Sequence, residues 1–259
     1  MERIILIETS TALCSTALAE DGVITSYRES SAAKAHASLT AVFIEEMLSE
    51  RGLTLADCDA VCVSMGPGSY TGLRVGVSTA KGLCFGSGKP LLAVGTLDTL
   101  VAQAGIPGQA GNDGDEAKNV GTGAVAGSGA YKYIIPMIDA RRMEVYAAVF
   151  QHKAATSGQE EEEGQYIQTV ETAPVIIDEN SFSKELAEGP VLFIGDGAGK
   201  CADVLNHPNA RFCQCHPKAS AMLTPALEAY RRGDFKDVAY FEPFYLKEFV
   251  ATVSKKKLF

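Results

Sequence analysis

The sequence contains no tryptophan, few histidines and fewer basic than acidic residues. It has four histidines, and its 23 lysines and arginines stand against 32 aspartates and glutamates, so that the 259 residues carry a formal net charge of −9. A chain with this charge has no overall attraction for nucleic-acid phosphates, and we do not expect it to bind DNA or RNA unaided. The basic run 255–257 is predicted to be a solvated tail, with a local phosphate contact as the alternative.

Long apolar runs are also missing from the sequence. The apolar run 4–7 ends at Glu8 and is too short for a signal peptide or a membrane span. No other stretch reaches the roughly 18 apolar residues that identify a membrane-spanning helix. We therefore predict a cytoplasmic protein that makes no contact with a membrane.

The cysteines do not indicate a disulfide framework or a metal site. There are seven of them, an odd number, spread over predicted strands and helices, and this favours reduced, buried thiols. Cys213 and Cys215 lie near His207 and His216, but their spacing does not match that of zinc ligands. We predict that the chain binds no metal and that this cluster is packed or lies in a surface loop.

The order of predicted elements in the first part of the chain is β-β-β-α-β-α-β-α. Asp21-Gly22, between two strands, is a dipeptide that favours a two-residue hairpin. Together with an acidic residue after the first strand, this order is that of the ribonuclease H-like unit of the actin, Hsp70 and sugar-kinase superfamily, an analogy of fold that does not carry function. The predicted strands are 4–7, 14–19, 23–27, 60–65 and 90–94, and the predicted helices are 35–51, some fifteen residues after Gly68, and 96–104.

Two polar segments interrupt the remaining chain. Residues 105–130 are rich in glycine and low in bulky side chains, so we predict a flexible insertion between a first lobe, 1–104, and a smaller second lobe, 131–259. The acidic segment 159–164 is predicted to be a solvated loop. The predicted fold is thus α/β, with two lobes of which the second is reduced. Its predicted strands are 133–138, 144–150, 166–170 and 191–195, and its predicted helices are 183–188 and 222–232.

The predicted helix after Gly68 has two uncharged faces. One is a core stripe of Leu73, Val77, Ala80 and Cys84, and a second face has small and apolar residues, with Gly72, Gly76 and Gly82 among them. Since each glycine inside a helix costs roughly 1 kcal/mol against alanine, we expect another backbone to approach this face closely. That backbone belongs either to a second subunit or to this chain. The helix 35–51 also has a wider apolar arc than a single sheet covers.

Motifs for catalysis on phosphates or acyl groups are incomplete. Neither 195–201 nor 86–90 satisfies the P-loop pattern, although Gly195 and Gly197 follow a strand and could admit a nucleotide or form a plain turn. Ser69 fits a helix N-cap better than a nucleophile elbow, and His36 has no paired zinc ligand. The charged turn of Asp139, Arg141, Arg142 and Glu144 is either a surface ion-pair turn or a contact to a partner or anion.

Five blocks along the chain resemble one family. They are I-L-I-E-T-S-T at 5–11, His36 before an amphipathic helix, M-G-P-G-S-Y-T-G-L-R-V-G at 65–76, I-D-A-R-R-M-E-V-Y at 138–146 and E-P-F-Y-L-K at 242–247. Together they resemble the bacterial TsaB (YeaZ) family, a component of the machinery that makes threonylcarbamoyladenosine in tRNA. Glu8 stands where this family more often has aspartate, and Arg142-Met143 stands where it usually has Met-Gly.

The resemblance implies an accessory subunit that does not itself carry out the transfer. Such a subunit pairs with the paralogous TsaD transferase, which holds the metal and the threonylcarbamoyl-adenylate, while a TsaE-like ATPase and tRNA join the complex. No cofactor of its own is implied. Because its apolar helix faces would be uncovered, we expect the isolated chain to form a homodimer at high concentration. The partner surface carried over to this sequence comprises Leu39, Phe43, Met47, Gly72, Val75, Gly76, Thr79 and Leu83.

The rival hypothesis is a kinase or nucleotide hydrolase of the same superfamily. It would use Glu8, Thr9 and Ser10 after the first strand together with the turn at Gly195 and Gly197. We regard these residues as a vestigial nucleotide site, because Glu8 is one methylene longer than aspartate and the following Thr9-Ser10 has no glycine. A metalloprotease is a third hypothesis, weakened by the missing histidine pair.

Overall fold

The structure is a computed structural model that describes residues 2–105, 131–153 and 165–246. The predicted insertion 105–130, except for Gly105, lies outside the described residues. The predicted acidic loop 159–164 and the basic run 255–257 also lie outside them. Predictions made for these segments remain predictions.

Five strands form the first sheet, in the order β3-β2-β1-β4-β5. The central strand β1 pairs antiparallel with β2 and parallel with β4, and helices on both faces explain its continuous apolar sequence. The hairpin predicted at Asp21-Gly22 is confirmed, since both residues have positive φ angles, 48° and 79°. The strands are β1 (Arg3–Glu8), β2 (Cys14–Glu20), β3 (Val23–Ser30), β4 (Ala60–Ser64) and β5 (Leu91–Val94).

Two long helices, α1 (Ala35–Glu50) and α2 (Tyr70–Ser87), cover one face of this sheet. The core stripe predicted for α2 is confirmed, because Leu73, Val77, Ala80 and Cys84 are all buried. Ser69 caps α2 as predicted, and its Oγ accepts a hydrogen bond from the Gly72 backbone N at 3.3 Å.

The second sheet repeats the topology of the first. Its order is β10-β9-β6-β7-β8, and its central strand β6 pairs antiparallel with β7 and parallel with β9. The sheet has as many strands as the first, so the predicted reduction of this lobe lies in its helices, α4 (Ser183–Glu188) and α5 (Ala198–Cys201). The strands are β6 (Tyr133–Asp139), β7 (Glu144–Lys153), β8 (Gln165–Ile176), β9 (Val191–Gly195) and β10 (Ala210–Gln214).

Two helices each cover the sheet of the other lobe. α3 (Thr96–Ala104) packs through Leu97 and Leu100 on the second sheet, and α6 (Leu223–Arg231) packs through Ala226 and Leu227 on the first. The predicted lobe boundaries, 1–104 and 131–259, are therefore wrong for these two helices. The physical reason is that α1 and α2 shield only one face of the first sheet, whose other face needs an apolar cover from elsewhere in the chain.

Two further predictions concern the cysteines and membrane-spanning helices. All seven cysteines are buried and none is in a disulfide bond, which confirms the prediction of reduced thiols. Within the described ranges, no helix combines the length and the apolar character that a membrane span requires.

Candidate functional site in the interlobe cleft and on two long helices

A cleft of about 910 Å³ lies between the two lobes. One wall is formed by the turn after β1 and by residues 67–71 at the start of α2. The other wall is formed by the turn between β6 and β7 and by Asp196, directly after β9. Because the central strands of both sheets end at this cleft, it is the place where residues from both lobes can meet a ligand.

Glu8, at the end of β1, does not line the cleft. Its side chain is fully buried, and its Oε1 accepts a hydrogen bond from the Ser10 backbone N at 2.6 Å. Burial raises the pKa of Glu8 from 4.5 to about 7, in spite of the opposite effect of hydrogen bonds with the side chain and the backbone of Ser10. Thr9 is also buried, and its hydroxyl donates to the Gly72 carbonyl at 2.9 Å. The predicted nucleotide contact is therefore wrong for Glu8 and Thr9, whereas Ser10 does line the cleft.

The glycines of the predicted nucleotide turn accommodate the backbone of this chain. A Cβ atom on Gly195 would lie 2.2 Å from the Met137 carbonyl oxygen, and one on Gly197 would lie 3.1 Å from the Asp139 backbone N. The space left by their missing side chains is thus filled by the end of β6. Gly195 and Gly197 are also not among the residues that line the cleft, so this part of the predicted site is wrong.

The charged turn between β6 and β7 belongs to the cleft. Asp139 forms an ion pair with Lys200, whose Nζ lies 2.5 Å from Oδ1, and the Arg141 backbone N donates to the same oxygen at 2.7 Å. Arg141 and Arg142 have positive φ angles of 71° and 51°, and both are exposed. Glu144 lines the cleft as well. The turn is therefore joined to α5 by an ion pair and presents two arginines beside the cleft.

Sequence reasoning missed two further groups of cleft residues. Asp196 lies on the wall of the second lobe, and its Oδ1 accepts a hydrogen bond from the Asp139 backbone N at 2.9 Å. Burial raises the pKa of Asp196 above its usual value. Tyr245 also lines the cleft, and its ring lies 4.9 Å from that of Tyr70. Two features of the sequence could have identified these residues. Asp196 is a charged residue between two glycines after a buried strand, and Tyr245 belongs to the block 242–247.

Part of the predicted partner surface is buried inside the first lobe. Met47 is 1% exposed and belongs to the core under α1. A Cβ atom on Gly72 would lie 2.0 Å from the Thr9 carbonyl oxygen, and one on Gly76 would lie 2.2 Å from the Thr9 hydroxyl. The close backbone approach that these glycines predict is made by the turn after β1 of the same chain. Assigning Met47, Gly72 and Gly76 to a partner contact is therefore wrong.

The other predicted surface residues lie on α1 and α2 and are half-buried: Leu39, Phe43, Val75, Thr79 and Leu83. Two residues that the prediction omits are more exposed, Val42 at 41% and Phe85 at 86%. Gly82 and Gly86, next to Phe85, have open space where a side chain would be. Beside Leu83 lies a groove of about 430 Å³, lined mostly by α1 and residues 53–55. We define the helix surface as the side chains of seven residues: Leu39, Val42, Phe43, Val75, Thr79, Leu83 and Phe85.

The cysteines and histidines considered as a metal site do not form one group of ligands in the structure. Cys213 and Cys215 pack in the core between α3 and the second sheet, while His216 Nδ1 lies 4.0 Å from Asp196 Oδ2. In the part of the chain that the structure describes, no group of three or more potential ligands could hold a metal ion. His36 lies at the cleft, where its Nε2 is 2.9 Å from the Thr11 carbonyl oxygen.

Comparison with known proteins agrees with the blocks quoted above. The chain is 28% identical over 252 residues to the tRNA threonylcarbamoyladenosine biosynthesis protein TsaB of Escherichia coli K12, with 96% of each chain covered. It is 35% identical over 143 residues to the protein of the same name from Haemophilus influenzae, covering 55% of this chain and 51% of that protein. The chain is thus similar to the TsaB (YeaZ) family over nearly its whole length. This similarity agrees with the resemblance on which the partner predictions were based.

Solved structures share the fold of this chain. YeaZ from Pseudomonas aeruginosa superposes with a TM-score of 0.73 at 24% identity, covering 95% of this chain and all of that chain. This likeness shows the fold alone. Together with the repeated sheet order, it confirms the predicted α/β fold of two lobes.

A second family matches one region of the chain. Residues 24–113 match the family described as TsaD, tRNA N6-adenosine threonylcarbamoyltransferase. The transferase of that name from Jannaschia sp. is 46% identical over 66 residues, which are 26% of this chain and 18% of that protein. The matched region 24–113 contains α1 and α2, which carry the helix surface.

Proposed function

We propose that this chain is a non-catalytic subunit in the synthesis of threonylcarbamoyladenosine in tRNA, and that it acts by pairing with a TsaD-like transferase through the helix surface. The observation that carries the proposal is that the region related to the transferase includes both helices of this surface. Related subunits that retain the same pair of helices can place them against each other in a pseudosymmetric contact.

The chemistry of the helix surface supports a protein partner. Phe85 is 86% exposed beside Gly82 and Gly86, so that another chain can approach the helix closely and bury the ring. Aromatic side chains of this kind often contribute most of the affinity of an interface. The half-buried Leu39, Phe43 and Leu83 would extend the contact along the seam between α1 and α2.

The state of the turns supports a subunit without its own phosphoryl-transfer chemistry. Glu8 is enclosed behind the turn after β1, and Gly195 and Gly197 are filled by the backbone of β6. Neither arrangement provides the carboxylate and glycine turn with which an ATPase would hold a magnesium nucleotide. We therefore assign the chemistry to the transferase.

Further partners follow from the same proposal. With a net charge of −9, the chain has no overall attraction for tRNA, so tRNA would bind to the assembled complex, in the cytoplasm, together with a TsaE-like ATPase. Without its transferase the chain would pair with itself, since the same apolar surface would otherwise stay exposed to water.

The test is the assembled mass of purified components. We expect the chain and the TsaD-like protein of the same organism to form a heterodimer in analytical ultracentrifugation. Thr79→Glu should reduce its affinity at least tenfold, because it places a charge within the apolar contact. Ser26→Glu, on the edge strand β3 of the same lobe, is the matched control. No heterodimer with the unaltered chain, or equal loss in both variants, would contradict the proposal.

A further inference from the structure

The chain passes from one sheet to the other at two places in the described ranges. After β5 it crosses at Gly95, and α3 then packs on the second sheet. After β10 it returns through residues 215–218 to a 3₁₀ helix, Ala219–Met222, that packs on the first sheet. A rotation of one lobe against the other would have to occur at these two crossings.

One buried side chain joins the two crossings. Gln103 lies near the end of α3 and is 0% exposed. Its Nε2 donates a hydrogen bond to the His216 carbonyl oxygen at 3.0 Å, and its Oε1 accepts one from the Lys218 backbone N at 3.0 Å. Glutamine is suited to this place because its amide group offers a donor and an acceptor together. The segment that leaves the second sheet is thus fixed to the helix that follows the other crossing.

The next residue of this segment is bonded to the first sheet. The Ala219 backbone N donates to Ser15 Oγ on β2 at 2.9 Å, and both residues are 0% exposed. Lys218 and Ala219, which are adjacent in the chain, are therefore bonded to elements on opposite sides of the crossing. A hinge needs a few residues whose φ and ψ angles can change, and no residue lies between these two bonds.

The crossing at Gly95 is also fixed by buried hydrogen bonds. The Thr96 backbone N donates to the Gly66 carbonyl oxygen at 2.9 Å. Thr96 Oγ1 lies 2.9 Å from Ser64 Oγ at the end of β4, and both side chains are 0% exposed. A hydrogen bond that is broken where water does not enter leaves its donor and acceptor unpaired, which costs free energy. Rotation at this crossing is therefore opposed as well.

We propose that Gln103 acts as a lock that holds the two lobes at one fixed angle, so that the cleft keeps a constant width. A rotation would separate its buried amide group from the backbone of His216 and Lys218, leaving a donor and two acceptors or donors unpaired in the interior. This inference goes beyond the proposed function, because it concerns the motion of the chain and not its partner. An enzyme that closes on its substrate requires the opposite behaviour.

The distance between the lobes can be measured with spin labels. Ser78→Cys on α2 and Ala187→Cys on α4 place one label on each lobe at an exposed position, and the seven cysteines of the chain are buried. Double electron–electron resonance on the full chain should give one narrow distance distribution. A broad distribution, or one with two maxima, would overturn the proposal.

Variants of the labelled chain show whether Gln103 is responsible. Gln103→Leu keeps a similar side-chain size but removes both hydrogen bonds, so it should widen the distance distribution at least twofold. Gln168→Leu is the matched control, since Gln168 is exposed and its amide donates to the Val170 carbonyl oxygen of the same strand. Unchanged width in Gln103→Leu, or equal widening in both variants, would contradict the assignment.

Hydrogen exchange tests the lock in the unaltered chain, even if Gln103→Leu does not fold. The Lys218 amide hydrogen should exchange at least a hundredfold more slowly than in an unstructured peptide, because it is bonded to a fully buried side chain. Nuclear magnetic resonance measures this rate directly. Exchange of Lys218 as fast as in an unstructured peptide would show that the bond to Gln103 opens freely, and the lock would be wrong.

Discussion

The two lobes share a sheet and differ in their helices. In each sheet the central strand lies between two pairs of strands. The pair on one side is antiparallel to its neighbours, and the pair on the other side runs parallel to the central strand. The first lobe adds α1 and α2, of 16 and 18 residues, where the second has α4 and α5, of 6 and 4 residues. The same sheet order is thus compatible with helices of very different length. The long helices are those of the first lobe, where the partner surface is proposed.

The lobes also share a tight contact after the fourth strand of each sheet. In the first lobe, Gly68 and Gly72 meet the backbone of the turn after β1, and in the second, Gly195 and Gly197 meet the end of β6. The acidic residues at the ends of the central strands differ: Glu8 is buried, whereas Asp139 is exposed and paired with Lys200. The repeated glycine contact therefore serves folding in both lobes, while the acidic position has diverged.

The largest effect is expected from filling the glycine contacts. Gly72→Ala places a Cβ 2.0 Å from the Thr9 carbonyl oxygen, and Gly195→Ala places one 2.2 Å from the Met137 carbonyl oxygen at a φ of 131°. Because backbone must move in both cases, each variant should lose about 4 kcal/mol of unfolding free energy in urea titrations. If only one of the two variants lost unfolding free energy, the glycine contacts of the two lobes would not be structurally equivalent.

The next effect concerns the buried acid of the first lobe. Burial raises the pKa of Glu8 from 4.5 to about 7, so the folded state holds its proton more tightly than the unfolded chain does. The resulting stabilisation is complete below pH 4.5 and is lost as the pH rises to about 7, a change of up to roughly 3 kcal/mol. Glu8→Gln should therefore be increasingly more stable than the unaltered chain between pH 5 and 8.

Urea unfolding across this pH range measures the difference between the two proteins. The Gln side-chain carbonyl can still accept the Ser10 N–H, so the comparison isolates the charge of Glu8. Parallel pH profiles for the two proteins would show that Glu8 does not titrate as its burial predicts.

A smaller effect should separate the exposed apolar side chains of the two lobes. Phe85→Ser on α2 should weaken binding to the TsaD-like partner at least tenfold, which is about 1.4 kcal/mol. Ile176→Ser on β8 should leave binding unchanged, although Ile176 is 75% exposed and Phe85 86%. Both variants should keep their unfolding free energy within about 0.5 kcal/mol. Sedimentation with the partner measures the affinity of each variant. Equal affinity in the two variants would show that Phe85 on the helix surface does not contact the partner.

The smallest effect is a gain in stability. Gly82 is inside α2, has open space at its Cβ position and does not require a positive φ. Gly82→Ala should therefore raise the unfolding free energy by roughly 0.5–1 kcal/mol in urea titrations. The contrast with Gly72→Ala tests which glycines of this helix are needed for packing. A loss of stability in Gly82→Ala would show a contact that the open space does not suggest.

Sequence patterns predicted most elements because their signals are local. Apolar periodicity and turn residues gave α4 and β9 with the bounds observed, and the helix-capping rule identified Ser69. They did not predict β10, whose five residues lie on a sheet edge with little alternation, or α5, which has a single turn. Short elements like these are stabilised by neighbours that are distant in the sequence.

The sequence alone determined most of the elements, the hairpin at Asp21-Gly22 and the family that the chain resembles, since each depends on residues close in sequence or on blocks that can be matched directly. Only the tertiary structure decided which backbone fills the glycine face of α2, which sheet α3 and α6 cover, and that Ser10, Arg141 and Tyr245 line one cleft. These features depend on how segments far apart in the chain pack together, and a glycine or an apolar face does not encode the identity of the surface it will meet.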